Sequence, residues 1–79
     1  MSPTVFSQDG FRFFFFSREE ARPHVHVISS LGEAKFWLHP EIRLAKSYHY
    51  SRKQLRDIAK IIEEHESELI RAWQKHFGS

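Results

Sequence analysis

Pro23-His24-Val25-His26-Val27 alternates an imidazole with a β-branched side chain. Successive side chains on a strand point to opposite faces, so His24 and His26 share one face and Val25 and Val27 the other. Residues 23–28 therefore read as a strand with one apolar face and one histidine-bearing face, and proline is tolerated at its first position. The fold follows from asking what surrounds this strand and what covers its valines.

Towards the N-terminus, residues 11–16 read as a second strand with Phe11, Phe13 and Phe15 on one face and Arg12, Phe14 and Phe16 on the other. Both faces are apolar, so neither is simply solvated. Asp9-Gly10 is a hairpin signal that joins this run to a short first strand over residues 4–6. Residues 17–22 are polar and read as a loop. Towards the C-terminus, residues 29–32 turn the chain into a strand over 33–38, where Ala34, Phe36 and Leu38 alternate with Glu33, Lys35 and Trp37. His39-Pro40 ends it, and residues 42–45 fit a fifth strand or an extended loop.

Residues 51–77 read as one helix. Ser51 and Gln54 have capping-box spacing. Leu55, Ile58, Ile62, Leu69, Ala72 and Trp73 recur at three- and four-residue steps, and Gly78 stands at the C′ position. The expected fold is α+β: a small antiparallel sheet of four or five strands followed by one long C-terminal helix packed on one face, in a single domain over 1–79. The helix covers the face carrying Val25, Val27, Phe11, Phe13, Phe15, Ala34, Phe36 and Leu38. The opposite face then carries Arg12, Phe14, Phe16, His24, His26, Glu33, Lys35 and Trp37. No second helix is expected to bury these aromatics, so the face meets another copy, a partner protein or a ligand. Deep burial of His24, Phe14 and Trp37 would count against that grouping.

Composition narrows the class. Of 79 residues, 41% are hydrophobic and 28% charged, which excludes a disordered chain. Cysteine is absent, which excludes disulfides and thiolate metal sites and fits a reducing cytoplasm. No apolar run approaches a membrane span, and no signal-peptide pattern opens the chain. A net charge of +2 permits nucleic-acid contact without demanding it.

Three kinds of chemistry fit the histidine face. Imidazoles titrate near neutrality, so His24 and His26 are candidate acid–base groups on an RNA phosphodiester, with Lys35, Arg12 or Arg43 countering phosphate charge and Trp37 stacking a base. Arg43, Lys46, Arg52 and Lys53, interleaved with Tyr48, extend a basic and aromatic path suited to single-stranded nucleic acid. A non-catalytic module fits as well, with Phe14, Phe16 and Trp37 docking a partner. A metal site built on His24 and His26 would need a third ligand from His39, His49 or Glu33, and no recognisable spacing supplies one; no metal or cofactor is expected. The pair also fits two half-buried histidines with satisfied hydrogen bonds. His65 reads as a core-edge residue, and Glu63, Glu64, Glu66 and Glu68 as a solvated helical face.

Pro3-Thr4-Val5-Phe6, Asp9-Gly10-Phe11 with its Phe run, Pro23-His24-Val25-His26-Val27, Glu33-Ala34-Lys35-Phe36-Trp37-Leu38 and the Glu-rich C-terminal helix with Trp73 resemble a small bacterial family catalogued as domain of unknown function 4160. Its members are often encoded beside a second small protein, in an arrangement like a type II toxin–antitoxin pair. The resemblance implies a toxin component neutralised by a small antitoxin-like partner, acting on RNA as a ribonuclease in the reading that joins it to the histidines. It carries over no catalytic residues.

Overall fold

The computed structural model describes residues 4–16 and 21–77. Strands β1 (Thr4–Gln8), β2 (Phe11–Phe14), β3 (His24–Ile28), β4 (Glu33–Trp37) and β5 (Arg43–Tyr48) precede helices α1 (Arg52–Glu64) and α2 (Glu66–Phe77). The strands form one sheet in the order β1-β2-β3-β4-β5, with every neighbouring pair antiparallel. Asp9 and Gly10, at φ 54° and 84°, make the two-residue turn between β1 and β2. Positive φ at both positions gives a type I′ turn, whose twist matches the strands it joins.

The strands alternate as their sequences dictate. Phe11, Phe13, Phe15, Val25, Val27, Ala34, Phe36 and Leu38 are buried against Ile58, Ile61, Ile62, Leu69 and Trp73 of the helices. The face expected to meet the helical layer does so. Helices of 13 and 12 residues are marginal in isolation. Burial of each large apolar side chain contributes about 1.5–3 kcal/mol, so packing rather than propensity holds the helices. The capping box forms as expected: Ser51 Oγ accepts from the Gln54 amide at 3.1 Å, and Gln54 Oε1 accepts from the Ser51 amide at 2.8 Å.

The single long helix is corrected to two. His65, at φ −112° and ψ 17°, leaves the helical conformation. Its ring stacks on Phe6 at 4.1 Å, with Nε2 2.9 Å from Gln8 Oε1 of β1 and Nδ1 2.8 Å from Glu68 Oε1. A straight helix over residues 51–77 would be about 40 Å long at about 1.5 Å per residue. The molecule's longest dimension is 34 Å. The break thus keeps both helices over the sheet. The strand bounds also shift: β1 runs on to Gln8, β2 stops at Phe14, β3 begins at His24, β4 stops at Trp37, and β5 is a definite strand from Arg43 to Tyr48. Gly78 and loop residues 17–20 lie outside the described residues.

The segment after β5 is tied back to the β3–β4 turn. Tyr50 Oη donates to the Gly32 carbonyl at 2.8 Å. Its proton is thereby used, so the Ser29 hydroxyl donates to Tyr50 Oη, also at 2.8 Å. A Cβ on Gly32 would run into the Tyr48 carbonyl oxygen. Gly32→Ala is therefore expected to destabilise the domain by about 1–3 kcal/mol, as overpacking does. Urea unfolding checks this, and an unchanged midpoint would show that the turn yields freely.

Candidate nucleic-acid interface

The strand registers assemble the face of the sheet turned away from the helices. Directly opposed residues share a face. Phe14 pairs with His26, His26 with Lys35, and Lys35 with Lys46, forming one row across four strands. On one side of it runs the row Arg12, Ile28, Glu33, Tyr48, and on the other runs His24, Trp37, Arg43. The registers thus bring the expected side chains to one face, but His24 and Phe14, two of the three residues whose deep burial counts against an exposed patch there, are buried.

Their accessibility differs from expectation. His24 is 0% exposed and Phe14 8%, while Trp37 and His26 are half-buried. β2 leaves the ladder at Phe14, so none of its residues pairs with His24, and the indole of Trp73 lies 5.1 Å from the His24 ring. His24 Nδ1–H donates to the Arg22 carbonyl at 2.7 Å. A carbonyl only accepts, so this bond fixes which nitrogen carries the proton. The ring packs edge-on to His26 at 5.2 Å and Trp37 at 5.6 Å. The expected pair of accessible imidazoles is thus one sealed histidine beneath one reachable histidine.

Aromatic rings and cations interleave on this face. The Trp37 indole lies within 4.2 Å of the Arg22 guanidinium and 4.5 Å of Lys35 Nζ. Arg12 stands 4.8 Å over the Phe14 ring, and Phe16 packs on His26 at 4.4 Å. Such contacts hold the cations beside flat apolar surfaces. Phe16 and Tyr48 remain 44% and 51% exposed. A groove of about 270 Å³ opens between them, with His26, Glu33, Lys35 and Lys46 along its walls. Its chemistry suits an anionic polymer with flat bases: ammonium and guanidinium groups for phosphates, and rings for stacking.

The basic segment divides between the two layers. Arg43, Lys46 and Tyr48 lie on β5 in the rows described above. Arg52 and Lys53 are exposed in the first turn of α1, within the helical layer on the other side of the sheet, where Lys53 pairs with Asp57 at 3.1 Å. Arg43 makes an exposed ion pair with Glu41 at 3.4 Å, a contact of little strength. Sequence reasoning missed Arg22. It stands in a polar stretch before Pro23, and only the fold brings it over Trp37.

Among the described residues, no three histidine, aspartate or glutamate side chains group as metal ligands. His39 and His49 are exposed in the segments after β4 and after β5. Among the same residues, no helix is long and apolar enough to cross a membrane. A family model described as "Domain of unknown function (DUF4160)" matches residues 10–74. No curated protein matches the chain, and no solved structure matches it.

Proposed function

The chain belongs to the DUF4160 family, and from that premise and its own geometry we propose that it binds single-stranded RNA on the open face of its sheet. The observation that carries this reading is the interleaving of Arg12, Lys35, Arg43 and Lys46 with Phe16, Trp37 and Tyr48 on one face. Stacking on such rings contributes about 1–3 kcal/mol per base, and phosphate contacts make binding salt-dependent. In this reading a small antitoxin-like protein neutralises the chain by covering the same face, and the complex works in the cytoplasm. Fluorescence anisotropy with a labelled single-stranded RNA heptamer tests it. Binding is expected to weaken steeply as salt rises and to exceed binding to the corresponding duplex. No binding at low salt would overturn it.

A second reading, cleavage of the bound RNA by a toxin, is favoured by one observation: His26 and Lys35 are directly opposed and line the same groove. His26 would take the 2′-hydroxyl proton as that oxygen bonds to phosphorus, and Lys35 would counter the charge that builds on the phosphorus-bound oxygens. The bond from phosphorus to the 5′-oxygen would break, that oxygen leaving with a proton from water. His24 then acts as a positioning residue through its contact with His26. On induced expression, wild type is expected to arrest bacterial growth. His26→Ala is expected to bind RNA normally but to lose both cleavage and arrest. Cleavage retained in His26→Ala at matched fold would refute this assignment.

A further inference from the structure

Glu33 is a carboxylate on a face otherwise rich in cations. It is exposed, lines the groove, and forms no side-chain hydrogen bond or ion pair among the described residues. A phosphate lying there would be repelled, so an RNA strand crossing this face must turn something other than its backbone towards Glu33. Tyr48 stands directly opposite it across the β4–β5 ladder. Lys46 is its diagonal neighbour, about 7–8 Å away between Cα atoms for such a pair, and also lines the groove.

From this arrangement, and resting on the RNA-binding reading, we infer that the groove selects guanine. Guanine presents two adjacent N–H donors, N1 and N2, beside the O6 acceptor on its Watson–Crick edge. The two oxygens of the Glu33 carboxylate accept the parallel N–H groups, as a carboxylate accepts a guanidinium fork. The Lys46 ammonium donates to O6, and the exposed Tyr48 ring supplies a stacking surface. The other bases fail on Glu33 itself. Adenine and cytosine each set a ring-nitrogen acceptor beside their amino donor, and uracil flanks its one N–H with two carbonyl oxygens. All three would bring an acceptor lone pair against the carboxylate.

The test uses four RNA heptamers, uridine throughout except for G, A, C or U at the centre, so that no guanine-rich structure forms. Anisotropy titrations compare wild type with Glu33→Gln. Wild type is expected to bind the G heptamer about tenfold to a hundredfold tighter than the other three, the range for one bidentate base contact. Glu33→Gln is expected to lose most of that preference and to bind the all-uridine heptamer at least as tightly as wild type, since an anion leaves a cationic face. A purely structural Glu33 would instead weaken all four alike. Equal binding of all four by wild type, or an undiminished preference in Glu33→Gln, overturns the inference and leaves RNA binding standing. Failure to bind any heptamer overturns RNA binding itself and this inference with it.

Discussion

Trp73→Ala is expected to lower the melting temperature by roughly 12–40 °C. Trp73 is 4% exposed and fills the end of the core where the sheet narrows. Its indole meets Phe15 edge-on at 5.3 Å, Phe77 at 4.1 Å and His24 at 5.1 Å. Removing a buried tryptophan to alanine costs about 3–5 kcal/mol, because the lost contacts leave a cavity that the surroundings only partly fill. A domain this small holds about 4–12 kcal/mol in total, so one substitution consumes a large share of it. Each kcal/mol shifts the transition by about 4–8 °C at this size. Circular dichroism on heating reads the shift, with Trp73→Phe as a milder companion. A change below about 5 °C would mean that the indole is not a structural post.

Reversing charge at Arg43→Glu/Lys46→Glu is expected to weaken single-stranded RNA binding about thirtyfold at ordinary salt. Each contact pair is worth about 1 kcal/mol in water. Turning two attractions into two repulsions therefore changes the energy by about 4 kcal/mol, and screening leaves roughly half of that. The slope of log affinity against log salt should also lose about 1.4, at about 0.7 per phosphate contact. The control is Arg52→Glu/Lys53→Glu. These cations are close in sequence to the first pair but lie in the helical layer. Their reversal should leave affinity nearly unchanged; for α1, the gain from acidic side chains at its N-terminus is offset by loss of the Lys53–Asp57 pair. Equal losses in both variants would mean that RNA contacts are not confined to the open face.

Much of this architecture is legible in the chain because its signals are local. Asp9-Gly10 names its turn, Val25 and Val27 name their face, and Ser51 with Gln54 marks the start of α1. The features that escape are those decided across the fold. The apolar periodicity runs through His65 without a proline or glycine, so nothing local announces the break; the partners that hold His65, Phe6 and Gln8, lie on the far edge strand. Parity puts His24 on the correct face, but its burial depends on Trp73, which follows it by 49 residues. The hydroxyl of Tyr50 reads as a polar tip in a linker until Ser29 and Gly32 meet it. The open face is thus readable as a set of residue types, whereas its depth and its split from Arg52 and Lys53 are not.

The unbroken strand order β1 to β5 also sets a schedule. Every strand pairs with the one made just before it, so the sheet assembles by short loop closures and needs no distant segment to begin. The helices that cover Phe13, Val25, Val27 and Phe36 come last in the chain. During synthesis the sheet can therefore be paired while one whole side is still bare. Such a surface invites association with other unfinished chains, and arrival of residues 52–77 ends that interval. Their sequence thus sets how long the nascent protein stays vulnerable as well as how stable it becomes.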